Sequence, residues 1–446
     1  MGIDSATLIE ELAAAIASGE LKPGDRLPPQ RQFAYQRGIA ASTASRIYAG
    51  LLRRGLVCGE VGRGTFVAAQ PPAAISMNSE QRESRIDLEF NFPIAAGQAA
   101  LMSGCLAAFQ RADVLDAALR PMTTSRLENA QRVTAKFMGT DQWTPQPGSF
   151  LFTGSGRQSL ASAIATLVPV GGRLGVEAVT YPLIKTISAR HGVIPVPIAM
   201  DAEGIRPDAV DKAHRDGALS ALYVQPVLHN PLGCSMSGAR REDLLRLAEK
   251  LGIVVIEDRV YGFLADDPPL AARAPDHCIV VDSMSKRIAP GLALGFICAP
   301  SALRDRIAIT MRASAWNVAG LALEIGMRLM SDGTAREIAL RKRADAQLRQ
   351  GIVAARLGSS AFQADGRSYH AWLHLPERWR SEAFVAAAAR VSVAVTPSSA
   401  FTITPGHAPN AVRLALGLPS HEELETALTR LRHLLDGGPD STDVTE

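Results

Sequence analysis

Cysteine is scarce: five in 446 residues, at positions 58, 105, 234, 278 and 298. No two stand at the short spacing that zinc or iron–sulfur ligation needs, and an odd number cannot all pair. Neither a metal ribbon nor a disulfide scaffold is therefore expected. Scattered thiols suit a reducing compartment, and the expected location is the cytoplasm. Long apolar runs are missing too. No stretch reaches the roughly 18 apolar residues that span a bilayer, and no basic-then-apolar leader opens the chain, so no membrane partner is expected. Lysine and arginine exceed the acids by only three, which confines any basic surface to a local patch. With 47% hydrophobic and 20% charged residues, disorder is excluded, and the length exceeds one ordinary core. The expectation is two or three soluble domains.

What is present begins with punctuation. Asp4 or Ser5 can cap a helix whose Leu8, Leu12, Ala15 and Ile16 share one face, closed by Gly19. An extended Pro/Gly-rich stretch from Leu21 to Pro29 follows, then a short helix from Gln30 to Arg37 stopped by Gly38. A third helix opens at Ala41 or Ser42, buries Ile47, Leu51 and Leu52, and ends at Gly55. Two β-rich runs, Leu56 to Glu60 and Thr65 to Ala68, flank Gly62-Arg63-Gly64. Three helices and a hairpin make a winged helix-turn-helix.

The stretch Gly19-Glu20-Leu21-Lys22-Pro23-Gly24-Asp25-Arg26-Leu27-Pro28-Pro29-Gln30-Arg31 resembles the entry of GntR-type DNA-binding domains. Gly62-Arg63-Gly64-Thr65-Phe66-Val67 is similar to their wing tip. Across residues 1 to 70, eight lysines and arginines face six acids, so placement counts for more than net charge. The resemblance puts Arg31, Arg46 and Arg63 at DNA contacts, with Ser42, Thr43 and Ser45 able to donate to phosphates or base edges. Ala41 stands where such domains often carry an arginine, which removes one expected base contact.

Residues 1–68 thus form the expected DNA-binding domain, 69–85 a linker, and 86–440 a second domain. The stretch from Ala68 to Arg85 has no apolar period and contains Pro-Pro; its eighteen residues reach roughly 60 Å when extended. Beyond it, strand candidates Phe150-Thr153, Arg173-Glu177, Ile194-Ile198, Ala221-Gln225, Val254-Glu257, Ile279-Asp282 and Leu294-Cys298 alternate with helical stretches. That is the pattern of an α/β fold with a mainly parallel sheet, whose ligands bind at the carboxyl ends of the strands. Met311 to Leu357 reads as mostly helical with one break at Ser331-Asp332-Gly333, and Tyr369 to Leu434 as a smaller α+β lobe.

Chemistry gathers at the strand ends. Thr153-Gly154-Ser155-Gly156-Arg157-Gln158 ends a strand and opens a helix, whose N-terminal amides suit a phosphate. Asn230-Pro231-Leu232-Gly233 follows the fourth strand candidate, and Asp258 with Tyr261 follows the fifth. Then comes Ser283-Met284-Ser285-Lys286, ahead of Pro290-Gly291. A lysine so placed can form a Schiff base with a carbonyl cofactor; these residues alone do not separate that role from an ordinary loop lysine. Arg413 stands near the C-terminus.

This order strongly resembles the fold-type I aminotransferases, which use pyridoxal 5′-phosphate. The resemblance covers roughly residues 86 to 435. It implies that Lys286 forms the Schiff base and Asp258 faces the pyridine nitrogen. Asn230 and Tyr261 would bond the 3′ oxygen, and Tyr181 would stack on the ring. Gly156 and Arg157, with Ser283 and Ser285, would hold the phosphate. Arg413 would grip a substrate or effector carboxylate, near Asn91 of Asn91-Phe92-Pro93. Two departures stand out. Ala293, in Pro290-Gly291-Leu292-Ala293-Leu294-Gly295, replaces an arginine that usually holds the phosphate. Residues 119 to 138 contain no tyrosine, where such proteins usually send one to the neighbouring subunit's phosphate.

A GntR-type winged helix joined to an aminotransferase-like domain is the plan of MocR-type transcription regulators. The resemblance implies a homodimer that binds double-stranded operator DNA and senses pyridoxal phosphate itself, or an amino acid or amine joined to it. Sensing rather than turnover is the expected use of the site. The alternative is a competent aminotransferase with an accessory DNA-binding domain.

Overall fold

An apolar stripe of Leu8, Leu12 and Ile16 drives the first helix, Ser5–Ala17, onto the third, Ala41–Arg53. Ile47, Tyr48 and Leu51 meet it there, with Phe33 of the helix Gln30–Arg37 between them. The chain is seen in a computed structural model that describes residues 5–22, 24–60, 64–68, 85–314, 318–358 and 361–438. Val57–Glu60 and Gly64–Val67 form the antiparallel hairpin, and Arg26–Leu27 adds a third strand against Thr65 and Phe66. The sequence marks that last segment only as extended; its partner is forty residues away. Arg63 lies outside the described residues.

In the second domain a seven-stranded sheet has the order Phe150–Thr153, Gly295–Cys298, Cys278–Ser283, Val254–Asp258, Ala221–Val224, Arg173–Glu177, Ile194–Ile198. Every neighbouring pair is parallel except the two made by Gly295–Cys298. The central strands are buried along their whole length, as expected where a layer covers both faces. The helical stretch after Met311 breaks twice, not once. Ser301–Ala313 stops before Gly320–Ser331, and Gly333, at φ +89°, separates that helix from Thr334–Leu357. Nothing local in the sequence marks the first break. A Cβ on Gly320 would fall 2.9 Å from the Ala118 carbonyl, so glycine is set there by a neighbour remote in sequence.

The smaller lobe is a four-stranded antiparallel sheet ordered Phe362–Gln363, His370–His374, Ala411–Ala415, Thr396–Pro397. Helices Ser381–Arg390 and His421–Gly437 pack on it, the latter opened by a Ser420/Glu423 capping box. Ile86–Asp87 pairs in parallel with Val393–Ala394, so the chain enters this domain through its smaller lobe.

The winged helix rests on that lobe. The Arg380 guanidinium lies 4.8 Å over the Phe66 ring, and a Cβ on Gly24 would fall 2.8 Å from that of Ala383. A cleft of about 860 Å³ runs along the junction, lined by Ile16, Leu52 and Val57 on one side and Glu89, Val385 and Thr396 on the other. Arg31, Ser42, Ser45 and Arg46 are exposed and Thr43 half-buried; none of them lines the cleft.

Candidate active site

Lys286 sits in a helical turn just beyond a strand end. The strand stops at Ser283, whose hydroxyl accepts from the Ser285 amide at 3.4 Å and caps a short helix, Met284–Arg287. Arg287 thus belongs to a helical turn and not to a continuation of the strand. It points away from Lys286, because it pairs with buried Asp282 at 2.9 Å and packs between Phe137 and Phe263. The Lys286 amine donates to the Asn91 carbonyl and lies 4.0 Å over the Phe92 ring. Burial first, then the charges of Arg413, Arg157 and Lys342, bring it down to about 7. About half of it is then a neutral nucleophile near pH 7.

Asp258 ends the neighbouring strand, buried, with its carboxylate accepting from the Tyr223 hydroxyl at 2.9 Å and the Val260 amide at 3.2 Å. Burial pushes it up to about 6, and among the described residues no cation pairs with it. A buried carboxylate left with neutral donors fits a protonated ring nitrogen. Nothing in the sequence singles out Tyr223: it is an aromatic in an apolar strand, and only the fold puts its hydroxyl on Asp258.

Three loops close round this pair. Tyr261 accepts from Asn91 Nδ2 at 3.0 Å, and burial pushes its phenol upward. Asn230 Oδ1 lies 3.5 Å from Arg413 Nη1. Behind them buried Glu177 accepts from the Gln225 amide at 2.9 Å and the Thr180 hydroxyl at 3.0 Å, with His229 at 3.2 Å. That network joins the segment bearing Tyr181 to the one bearing Asn230. Tyr181 is half-buried, with the Arg157 guanidinium at its hydroxyl.

The glycine loop faces the lysine-bearing turn. Ser155 caps the helix Gly156–Leu167, accepting from the Gln158 amide at 3.3 Å. A Cβ on Gly156 would fall 3.1 Å from Ser283 Oγ, and one on Gly295 would fall 2.3 Å from the Ser155 carbonyl carbon. Gly156, Ser283 and Ser285 thus surround one end of the site, where a twelve-residue helix points its free amides. Ala293 stands in the adjoining turn at φ +48°, exposed.

Arg413 lies in the middle of a buried strand. Its Nη2 donates to the Glu89 carbonyl and, at 3.0 Å, to the Thr396 hydroxyl; its Nε has no partner among the described residues. Asn91 Oδ1 is likewise buried without a partner. Two orphaned polar atoms beside a lysine amine and an uncompensated carboxylate are what an absent polar ligand leaves. The structure therefore brings together Lys286, Asp258, Asn230, Tyr261, Asn91 and Arg413, with Tyr181 and Arg157 at one side. Pyridoxal phosphate fits this set: when bound it supplies an electron sink beside the amine.

Comparison with known proteins agrees with the architecture. Residues 106–431 match the family "Aminotransferase class I and II", and residues 5–67 match "Bacterial regulatory proteins, gntR family". The HTH-type transcriptional regulator YdeF of Bacillus subtilis is 27% identical, with 96% of this chain and 94% of that protein aligned. The vitamin B6 salvage pathway transcriptional repressor PtsJ of Salmonella typhimurium is 24% identical over 96% and 98%. Among solved structures, an archaeal alanine:glyoxylate aminotransferase superposes with a TM-score of 0.73 at 20% identity, covering 79% of this chain and 91% of that one. LysN, the α-aminoadipate aminotransferase of Thermus thermophilus, gives 0.70 at 21% identity over 80% and 93%. Most of the chain is an aminotransferase domain, a gntR-type domain precedes it, and whole-length relatives are named as regulators: the protein belongs to the aminotransferase class I and II family, in the MocR-type form that joins it to a DNA-binding winged helix.

Proposed function

We propose that this DNA-binding, pyridoxal phosphate-dependent regulator senses an amino acid or amine that displaces Lys286 from the cofactor, or the cofactor itself. One observation carries the reading. Two of the partners of Arg413, the Glu89 carbonyl and the Thr396 hydroxyl, belong to residues that line the cleft beneath the winged helix, while Asn230 Oδ1 holds it from the site side. A carboxylate that takes Arg413 competes with them, so occupancy of the site alters the surface on which the winged helix sits. Operator affinity of the cofactor-loaded protein, measured against increasing amino acid, tests this. The parent shifts, and Arg413→Ala does not respond at the same concentrations. An equal response in both removes the proposed route.

The intact Lys286, Asp258 and Arg413 set also supports a competent aminotransferase as a second reading. Sustained turnover with an amino acid and a 2-oxo acid would establish it. In either case a homodimer is proposed, with two winged helices reading adjacent half-sites. Sedimentation of the loaded protein at micromolar concentration is expected to give the dimer mass.

Arg157 is proposed to stand in for the arginine missing at Ala293. The phosphate is close to a dianion, and helix amides contribute only about 1–2 kcal/mol toward it, whereas a charge-assisted bond contributes more. With Arg287 held by Asp282, Arg157, exposed at the start of the helix Gly156–Leu167 with its guanidinium at the Tyr181 hydroxyl, is the cation proposed for this role. Arg157→Ala is expected to lower cofactor affinity about tenfold or more, and adding Ala293→Arg to restore part of it. Parent-like affinity in Arg157→Ala would mean that neutral donors suffice.

A further inference from the structure

The turn that presents Lys286 is held from behind by a second lysine. Lys342, on the helix Thr334–Leu357, has no exposed surface. Its amine donates to the main-chain oxygens of Ile288 at 2.6 Å and Lys286 at 3.0 Å. Gln98 Nε2 donates to the same Ile288 oxygen at 3.0 Å. The backbone needs donors there. The short helix ends at Arg287, Ile288 leaves it at φ −114°, ψ −87°, and among the described residues no backbone amide is seen to reach either carbonyl.

Lys342 carries this duty at a cost that a neutral side chain would avoid. Among the described residues no carboxylate forms an ion pair with it; Asp345, one turn along, is taken by Arg349 and His421 at 2.7 Å each. The Tyr369 hydroxyl sits 2.8 Å from both the Lys342 carbonyl and Asp345. An ammonium buried against carbonyl oxygens opposes stability, so an ionisable side chain in place of a neutral donor points to a role for its charge.

We propose that Lys342 is a positioning residue for Lys286: it fixes the carbonyls on either side of Arg287, aiming the Lys286 amine at the Asn91–Phe92 wall, and its positive charge favours the unprotonated form of that nitrogen, free or joined to the cofactor. The proposal rests on Lys286 being the cofactor lysine. Burial brings Lys342, like Lys286, down to about 7. The groups facing the two amines are Lys286 and Arg287 from the turn, with Arg287 turned to Asp282; Tyr369 from the small lobe; Asp345 on the same helix; and Arg413 and Arg157 across the site. The Lys342 charge disfavours the proton on Lys286, and two amines so placed titrate as a coupled pair.

The test is the visible spectrum of the full-length, pyridoxal phosphate-loaded protein against pH, for the parent and for Lys342→Met, Lys342→Gln and Lys342→Arg. Removing a nearby cation makes the Schiff-base nitrogen easier to protonate. The midpoint therefore rises by about half a unit or more in the Met and Gln proteins, and the curve narrows toward a single proton. Lys342→Arg stays with the parent. Methionine fills the same length without a buried charge, and glutamine keeps a donor, so Gln alone decides if Met does not fold. A Lys342 that only fills space would change melting temperature and leave all four midpoints together; that result overturns the proposal. A parent that takes up no colour refutes the Lys286 assignment itself, and this inference with it, whereas a coloured parent with unmoved variants refutes this inference alone.

Discussion

Lys286→Ala is expected to abolish the visible band that pyridoxal phosphate acquires on the parent protein, and borohydride should then fix no cofactor to the chain. The parent's amine is held down to about 7 by burial and by neighbouring cations, while an ordinary lysine near pH 7 is almost wholly protonated. Below that value the amine is protonated and cannot attack the aldehyde, so colour should develop faster as pH rises through about 7 and then level off. No other described lysine is placed to substitute. Lys342 shares the low value but is enclosed, with its amine on the carbonyls of Lys286 and Ile288. Equal colour and equal trapping in Lys286→Ala would place the chemistry elsewhere.

Operator binding should fall by roughly 5- to 150-fold in Arg46→Ala if that guanidinium reads a base, the range that about 1–3 kcal/mol implies. Arg46 lies in the first half of the helix Ala41–Arg53, exposed and clear of the contact with the small lobe. Arg31, at the start of the preceding helix, is expected to serve instead as a phosphate contact. Arg31→Ala should weaken all duplexes alike and reduce the salt slope by about one. Binding titrations at several salt concentrations, on operator and on unrelated duplex, separate the two effects. Undiminished operator affinity in both variants would exclude this face as the reading surface.

The signals legible in the sequence are those carried by local backbone demands. Gly38 must end a helix at φ +64°, and Gly156 and Gly295 must let two loops touch; motifs built on such positions keep their spacing. Lys286, Asp258, Asn230 and Tyr261 follow successive strands, so a parallel sheet brings them to one edge. Groups supplied by tertiary packing give no such sign. Tyr223 looks like any aromatic in an apolar strand, although its hydroxyl holds Asp258. Lys342 lies in Arg341-Lys342-Arg343, a basic run that reads as a solvated helix face until the turn at Ile288 closes over it.

The junction between the winged helix and the small lobe includes close contacts of small residues, Gly24 against Ala383 and Gly59 against Gly406, and one guanidinium over Phe66. The two partners do not have to find each other from solution, because residues 69–84 join them covalently. A short tether gives an effective concentration on the order of millimolar, so a bare affinity of about 1 mM, or about −4 kcal/mol, already leaves the junction half made. At that balance point a bias of about 1.4 kcal/mol changes the ratio of docked to free winged helix tenfold. A junction held near that balance would be adjustable by the modest rearrangement that the proposed displacement of one hydrogen bond at Arg413 supplies.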